Sequence, residues 1–256
     1  MRFERVLRPT SVKCTVAAMG SMAVAWAGSS PALAQSPTPP PGDRFAARFD
    51  GWSFGVGGGY SAFHANPQAA SILSKGPNFN TSAELEGDKG FAVFEAGREF
   101  RHGNFILGLF GDVQLGSASE NFASSSRKGP IRSELNLGSG GSITGHAGFV
   151  VDESAHFYGL FGWAFNHYDA TLNVTDVSTR YSGEASGWLD GPTVGVGAEM
   201  LVPNHPNLSL KGEYRFTRFN GPTVKADHGS LSTTVDYGRI SSQGFRVVLS
   251  FKLPAN

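Results

Sequence analysis

Cysteine is almost missing from this chain: Cys14 is the only one in 256 residues. A disulfide framework and a zinc cage of four cysteines are therefore excluded. Charge is scarce as well, at 16% of residues with a formal net charge of zero, against a usual charged share of ~25%. Nothing supplies the counterion release on which nucleic-acid binding depends. Long hydrophobic runs are also missing. No stretch approaches the ~20 consecutive apolar residues of a membrane-spanning helix. No long amphipathic helical pattern and no internal repeat can be found. What the chain does have is aromatic residues, at 12%, and 34 glycines. The aromatics exclude an acidic disordered chain.

The first 34 residues read as an address. Arg2, Arg5, Arg8 and Lys13 make a positive start, Val16 to Ala27 a short apolar core, and Ala32-Leu33-Ala34 a small-x-small cleavage site before Gln35. Together these features predict a secretory signal peptide over 1–34. Cys14 precedes the apolar core, which excludes a lipoprotein cysteine. After cleavage, 17 basic and 20 acidic residues remain and no cysteine. Residues 35–49 carry Pro37, Pro39, Pro40 and Pro41 and are expected to form an extended tether. The folded domain is expected over 50–253.

Through that domain the apolar residues recur with period two. Leu208, Leu210, Tyr214 and Phe216 share a face with Gly212, against Ser209, Lys211, Glu213, Arg215 and Thr217. Phe245, Val247, Leu249, Phe251 and Leu253 oppose Arg246, Val248, Ser250 and Lys252. Phe105, Leu107, Leu109, Val113 and Leu115 repeat the pattern. A strand puts each set on one surface, whereas a helix would scatter it. Eight strands are predicted, at roughly 51–61, 90–100, 104–117, 140–151, 156–168, 188–202, 207–219 and 239–252. Tight turns at 101–103, 152–155 and 203–206 alternate with connections of about 19 to 28 residues. In an up-and-down meander this puts every long loop at one end, as in outer-membrane barrels.

Three features favour lipid outside the barrel. The polar face is crowded with Gly55, Gly57, Gly97, Gly108, Gly148, Gly162, Gly195 and Gly197, as the narrow interior of an eight-stranded barrel requires. Aromatics such as Trp52, Tyr60, Phe100, Phe105, Trp163, Phe165 and Trp188 gather near strand ends, where aromatic girdles belong. Eleven residues at ~3.3 Å, tilted ~45°, rise about 26 Å, close to the ~25 Å apolar band of such barrels. A soluble lipocalin-like barrel is the alternative. With the apolar face outward, the lumen receives Glu95, Glu99, Asp112, Glu199 and Glu213 with Lys211, Arg215, Arg246 and Lys252. Five acids and four bases in a narrow lumen are expected to pair and to plug it.

The chain resembles the small Gram-negative outer-membrane β-barrel family of opacity and porin-like surface antigens. The matching stretches are Gly51 to Tyr60, Gly103 to Gly108, Gly111-Asp112, Gly187-Trp188, Thr193 to Glu199 and Leu210 to Phe216. The resemblance implies an eight-stranded antiparallel up-and-down transmembrane barrel without a peptidoglycan-binding domain. It also implies outer-membrane lipid, lipopolysaccharide and the barrel-assembly machinery as partners. The sequence departs from the family at Phe110, where an acid is common, and at Thr144 and His146, where arginines are common. It also continues past Phe251 instead of ending on an aromatic.

Other readings are weaker. Gly55-Val56-Gly57-Gly58-Gly59 invites a nucleotide loop, but Tyr60-Ser61-Ala62 continues a strand where a helix would have to begin. His64, His167 and His228 are candidates for ligand contacts from the loops, including haem or a host surface. An enzyme acting on lipid A would use His167 with Asp169 or Ser182. Ser82 to Gly90 reads as a solvated tip. The expectation is a structural surface barrel, not an enzyme, with no cofactor, no metal site and no nucleic-acid partner. A weak solute channel or a ligand-binding surface is the alternative.

Overall fold

The computed structural model describes residues 49–73, 79–82, 85–126, 129–152, 154–175, 180–229 and 231–254. The expected signal peptide, the tether through residue 48 and the tip residues 83–84 lie outside them. Among the described residues thirteen strands follow in chain order. They are β1 (Gly51–Ala65), β2 (Gln68–Leu73), β3 (Phe79–Ser82), β4 (Leu85–His102), β5 (Phe105–Leu115), β6 (Ala118–Ser126), β7 (Gly129–Asp152), β8 (Ala155–Thr175), β9 (Arg180–Val202), β10 (His205–Asn220), β11 (Thr223–His228), β12 (Leu231–Asp236) and β13 (Arg239–Pro254).

Eight of them close a ring in the order β1, β4, β5, β7, β8, β9, β10, β13, every neighbour antiparallel. The pairing of β13 with β1 runs from Gly51↔Pro254 to Ala65↔Ile240. Closure removes the sheet edges that could not be satisfied in hydrocarbon. At one end the links are short. Gly103-Asn104 and Pro203-Asn204 each contain one residue with positive φ, Gly103 at 62° and Asn204 at 63°, residue types that tolerate that conformation. In the third turn Asp152 accepts hydrogen bonds from the Ser154 hydroxyl (2.8 Å) and backbone N–H (2.7 Å). These bonds hold its carboxyl below the ordinary aspartate range.

At the other end the expected long loops are replaced by strand. The β7, β8 and β9 strands run on with β6 as a neighbour, and β11, β12, β2 and β3 form a second sheet. Of Ser82 to Gly90, read as a solvated tip, Ser82 ends β3 and Leu85 to Gly90 begin β4, with Leu85 and Lys89 buried. In this upper section β11 lies beside β9 and β6 beside β4.

The outer surface divides at one height. Every exposed large apolar side chain among the described residues lies within 52–60, 94–100, 105–115, 143–151, 157–165, 188–200, 210–216 or 245–253. Nine residues, such as 157–165, rise about 20 Å at ~3.3 Å per residue and a ~40° tilt, most of the apolar band of a membrane barrel. Exposed greasy surface on this scale is stable only against lipid. The ring is therefore a transmembrane barrel.

Above that belt both faces change character. Along β8 the even positions point inward throughout and the odd ones outward. In the belt the outward residues are Phe157, Phe161, Trp163 and Phe165; above it they are Asp169, Thr171 and Asn173. The inward residues go from His156 and Tyr158 to Ala170, Leu172 and Val174, all buried. Apolar-out becomes apolar-in along one uninterrupted strand. The inward side of this upper section is an apolar core that includes Phe63, Leu85, Leu135, Leu172, Phe219, Val235 and Ile240.

Candidate functional site

The candidate site is the lumen of the membrane belt. Inward positions of β4, β5, β7, β8, β9, β10 and β13 bring together side chains that lie far apart in sequence. Glu95, Glu99, Asp112, Glu199, Lys211, Glu213, Arg215, Arg246 and Lys252 are all buried there.

They form two tiers. In the middle tier Glu213 Oε2 accepts from Arg246 Nε at 2.6 Å and from Arg215 Nε at 2.8 Å. Asp112 Oδ2 accepts from Arg215 Nη1 at 2.9 Å and from the Ser142 hydroxyl at 2.6 Å, and it lies 3.0 Å from Arg246 Nη1. Glu95 accepts from Lys211 Nζ at 2.8 Å and from an Arg246 Nη at 3.1 Å. Three carboxylates thus face three cations. Nearer the short turns, Lys252 bridges two carboxylates. It donates to Glu99 in a close contact and lies 2.7 Å from Glu199 Oε1. Each carboxylate has a cation within reach, as charges removed from water require.

Aromatic rings fill the space between. Phe110 stacks on His146 at 4.3 Å and His146 on Tyr158 at 4.7 Å. Lys211 Nζ lies 3.9 Å above the Phe110 ring, a cation–π contact. Tyr158 donates to Glu213 Oε1 at 2.7 Å. Phe110 and His146, two of the departures from the resembled family, thus build a stack. Room for it comes from Gly97 and Gly197. A Cβ at Gly97 would come within 2.2 Å of the Phe110 ring, and one at Gly197 within 2.5 Å of the Tyr158 ring.

Both ends of this polar section are closed by apolar groups. Above lies the upper core. Below, Phe49, Ile106, Val150 and Leu201 pack together. Phe49, counted in the sequence with the tether, is fully buried, its ring 4.7 Å edge-on to His156 and 5.0 Å from Lys252 Nζ. The folded domain therefore begins at least one residue earlier than 50.

Glu99, His156 and Glu199 place three ligand-type atoms within 4.8 Å of one another. They do not suit a metal as arranged, because the Lys252 ammonium engages both carboxylates. His156 Nε2 stands 3.7 and 3.8 Å from the same two groups.

The three candidate ligand histidines do not converge, and they stand on strands, not loops. His64 lies on β1, its Nδ1 3.6 Å from Glu86. His167 lies on β8, four places around the ring, its Nδ1 3.5 Å from Asp169 and its ring 5.3 Å from Trp188. Both point outward from opposite walls and cannot share one ligand. His228 on β11 stacks against Tyr181 at 6.1 Å. Of the two partners offered to His167, Asp169 stands beside it and Ser182 does not: His167 pairs with Trp188, Asp169 with Ser186 and Ser182 with Asn173. Four residues separate Ser182 from Asp169's partner, about 13 Å along the strand.

The sequence reading left several lumen residues out of the network. His146, His156 and Tyr158 share the inward parity of their strands and could have been found from it. Lys89 directly follows the outward acids Glu86 and Asp88, which gave its segment the look of a solvated tip.

No family model and no curated protein matches the chain. Solved structures similar to it include the attachment invasion locus protein Ail of Yersinia pestis, in complex with a heparin analogue, at 16% identity (TM-score 0.32, 76% of this chain and 99% of that one). The outer membrane protease OmpT of Escherichia coli is similar at 13% identity (TM-score 0.46, 80% and 97%). The outer membrane protein OprG of Pseudomonas aeruginosa is similar at 8% identity (TM-score 0.39, 80% and 98%). The fold assignment above rests on the chain's own strand pairing.

Proposed function

We propose that this protein is a structural barrel of the Gram-negative outer membrane, with a plugged lumen and a β-walled projection displayed outside the cell. The filled lumen carries the reading: a charge network with an aromatic stack, capped by apolar packing at both ends. An ion entering would have to displace paired buried charges and then cross an apolar core, and both steps are costly. Short turns belong on the periplasmic side of such barrels. The polar-skinned extension then faces outward among lipopolysaccharide sugars. The test is planar-bilayer recording of the refolded protein. A silent membrane is expected, and reproducible conductance steps would establish the channel instead.

A second reading, surface recognition, is favoured by one observation. A concavity of about 510 Å³ at the rim is lined by Arg132, Asn173, Arg180, Tyr181 and Ser182 among others. Neither arginine makes an ion pair among the described residues. Such a surface would take an anionic ligand. Loss of binding to an immobilised phosphorylated saccharide in Arg132→Ala/Arg180→Ala is the expected signature, and undiminished binding would remove this reading.

A further inference from the structure

The lumen charges are distributed unevenly along its length. The middle tier matches three carboxylates to three cations, and the lower tier has two carboxylates on one ammonium. One further cation stands apart. Lys89 is buried and makes no ion pair among the described residues. It shares β4 with Glu99 but lies ten residues away, about 33 Å along the strand. The surplus carboxylate at the bottom is too distant to neutralise it.

Lys89 Nζ donates to two neutral acceptors, the Gly138 carbonyl at 2.8 Å and Asn166 Oδ1 at 3.3 Å. An ammonium has three hydrogens to donate, so one is left over. Lys89 lines a cavity of about 60 Å³ at the waist, between the charge network and the apolar core. Arg215 lines the same cavity. Its Nε and Nη1 are fixed by Glu213 and Asp112, while its Nη2 is buried without a hydrogen-bond partner. The hydroxyl residues Ser61 and Ser242 also line it. The volume is several times the ~10–15 Å³ that holds one water. A monatomic ion fits.

We propose that this waist cavity is a binding site for a halide-class inorganic anion, held between the Lys89 ammonium and the open edge of the Arg215 guanidinium. A buried cation without a counter-charge is costly, and an anion here supplies that charge while accepting both unused donors. The site is separate from the projection and from the lumen's role as a plug.

The experiment uses the refolded barrel crystallised in sodium bromide, with diffraction data collected at the bromine edge. An anomalous peak in contact with Lys89 is expected in the wild type and none in Lys89→Met. Water alone in the wild-type cavity, or a peak that survives in Lys89→Met, would overturn the proposal. A solution measurement decides the matter if the variant fails to fold. At equal ionic strength, the wild-type unfolding midpoint should be higher in sodium bromide than in sodium gluconate, whose anion is too large to enter. At bromide ten times its Kd, the folding equilibrium constant should rise about elevenfold. Equal midpoints in the two salts would contradict the site.

Discussion

Glu213 accepts from Tyr158, Arg215 and Arg246 within 2.6–2.8 Å. Removing it leaves the Tyr158 hydroxyl and the Nε of both guanidiniums without an acceptor, while Asp112 and Glu95 still hold the guanidiniums' outer nitrogens. Glu213→Ala should therefore destabilise the barrel by about 3–5 kcal/mol, the usual cost of breaking a buried pair, measured as urea unfolding in lipid vesicles. At Gly197 the constraint is space, because the Tyr158 ring that a side chain would meet is held by its bond to Glu213. Gly197→Val should cost about 1–3 kcal/mol, as overpacking does, in the same assay; Gly111→Ala, whose Cβ would meet nothing nearer than 4.0 Å, serves as the control. At this scale much was legible. Glu95, Lys211 and Arg246 alternate with apolar neighbours, so their inward direction follows from parity once lipid is placed outside. Phe110 was not legible in this way, since an inward aromatic breaks the apolar-out pattern and its His146 and Tyr158 partners come from other strands.

Strands of this molecule keep one geometric parity while their chemistry exchanges faces. β8 shows the exchange most fully, and β10 repeats it: Phe216 points outward and Phe219, three residues on, is buried inward. A reading by hydrophobic alternation sees the pattern slip at that point and ends the strand. That is why the sequence suggested four long polar loops where the structure has paired wall. The Ser- and Thr-rich composition of those segments reinforced the error, because their outward face is solvated. The exchange also separates the two sections energetically. Leu172→Asn places an unsatisfied amide in the upper core, at a cost of several kcal/mol from lost burial and an unpaired polar group. The upper strands should then become protease-sensitive, while the belt still shows the gel shift of a folded barrel before boiling. Simultaneous loss of both properties would show that the sections fold as one.

Across the whole molecule, the bilayer and the aqueous phase act as two solvents on one continuous wall. In lipid the wall is greasy outside and ionic within; in water it is polar outside and apolar within. Closure, charge pairing and the filled lumen all follow from this arrangement. Fractionation should find the protein in the outer membrane, and recovery as a soluble periplasmic protein would favour the lipocalin-like alternative. The most direct test puts single spin labels at the outward β8 positions Phe157, Phe161, Phe165, Asp169, Thr171 and Asn173 in vesicles. Accessibility to oxygen, which partitions into lipid, should dominate through Phe165, and accessibility to a water-soluble nickel chelate should dominate from Asp169 onward. If oxygen dominated as far as Asn173, or the nickel reagent reached Phe161, the inverted wall described here would be wrong.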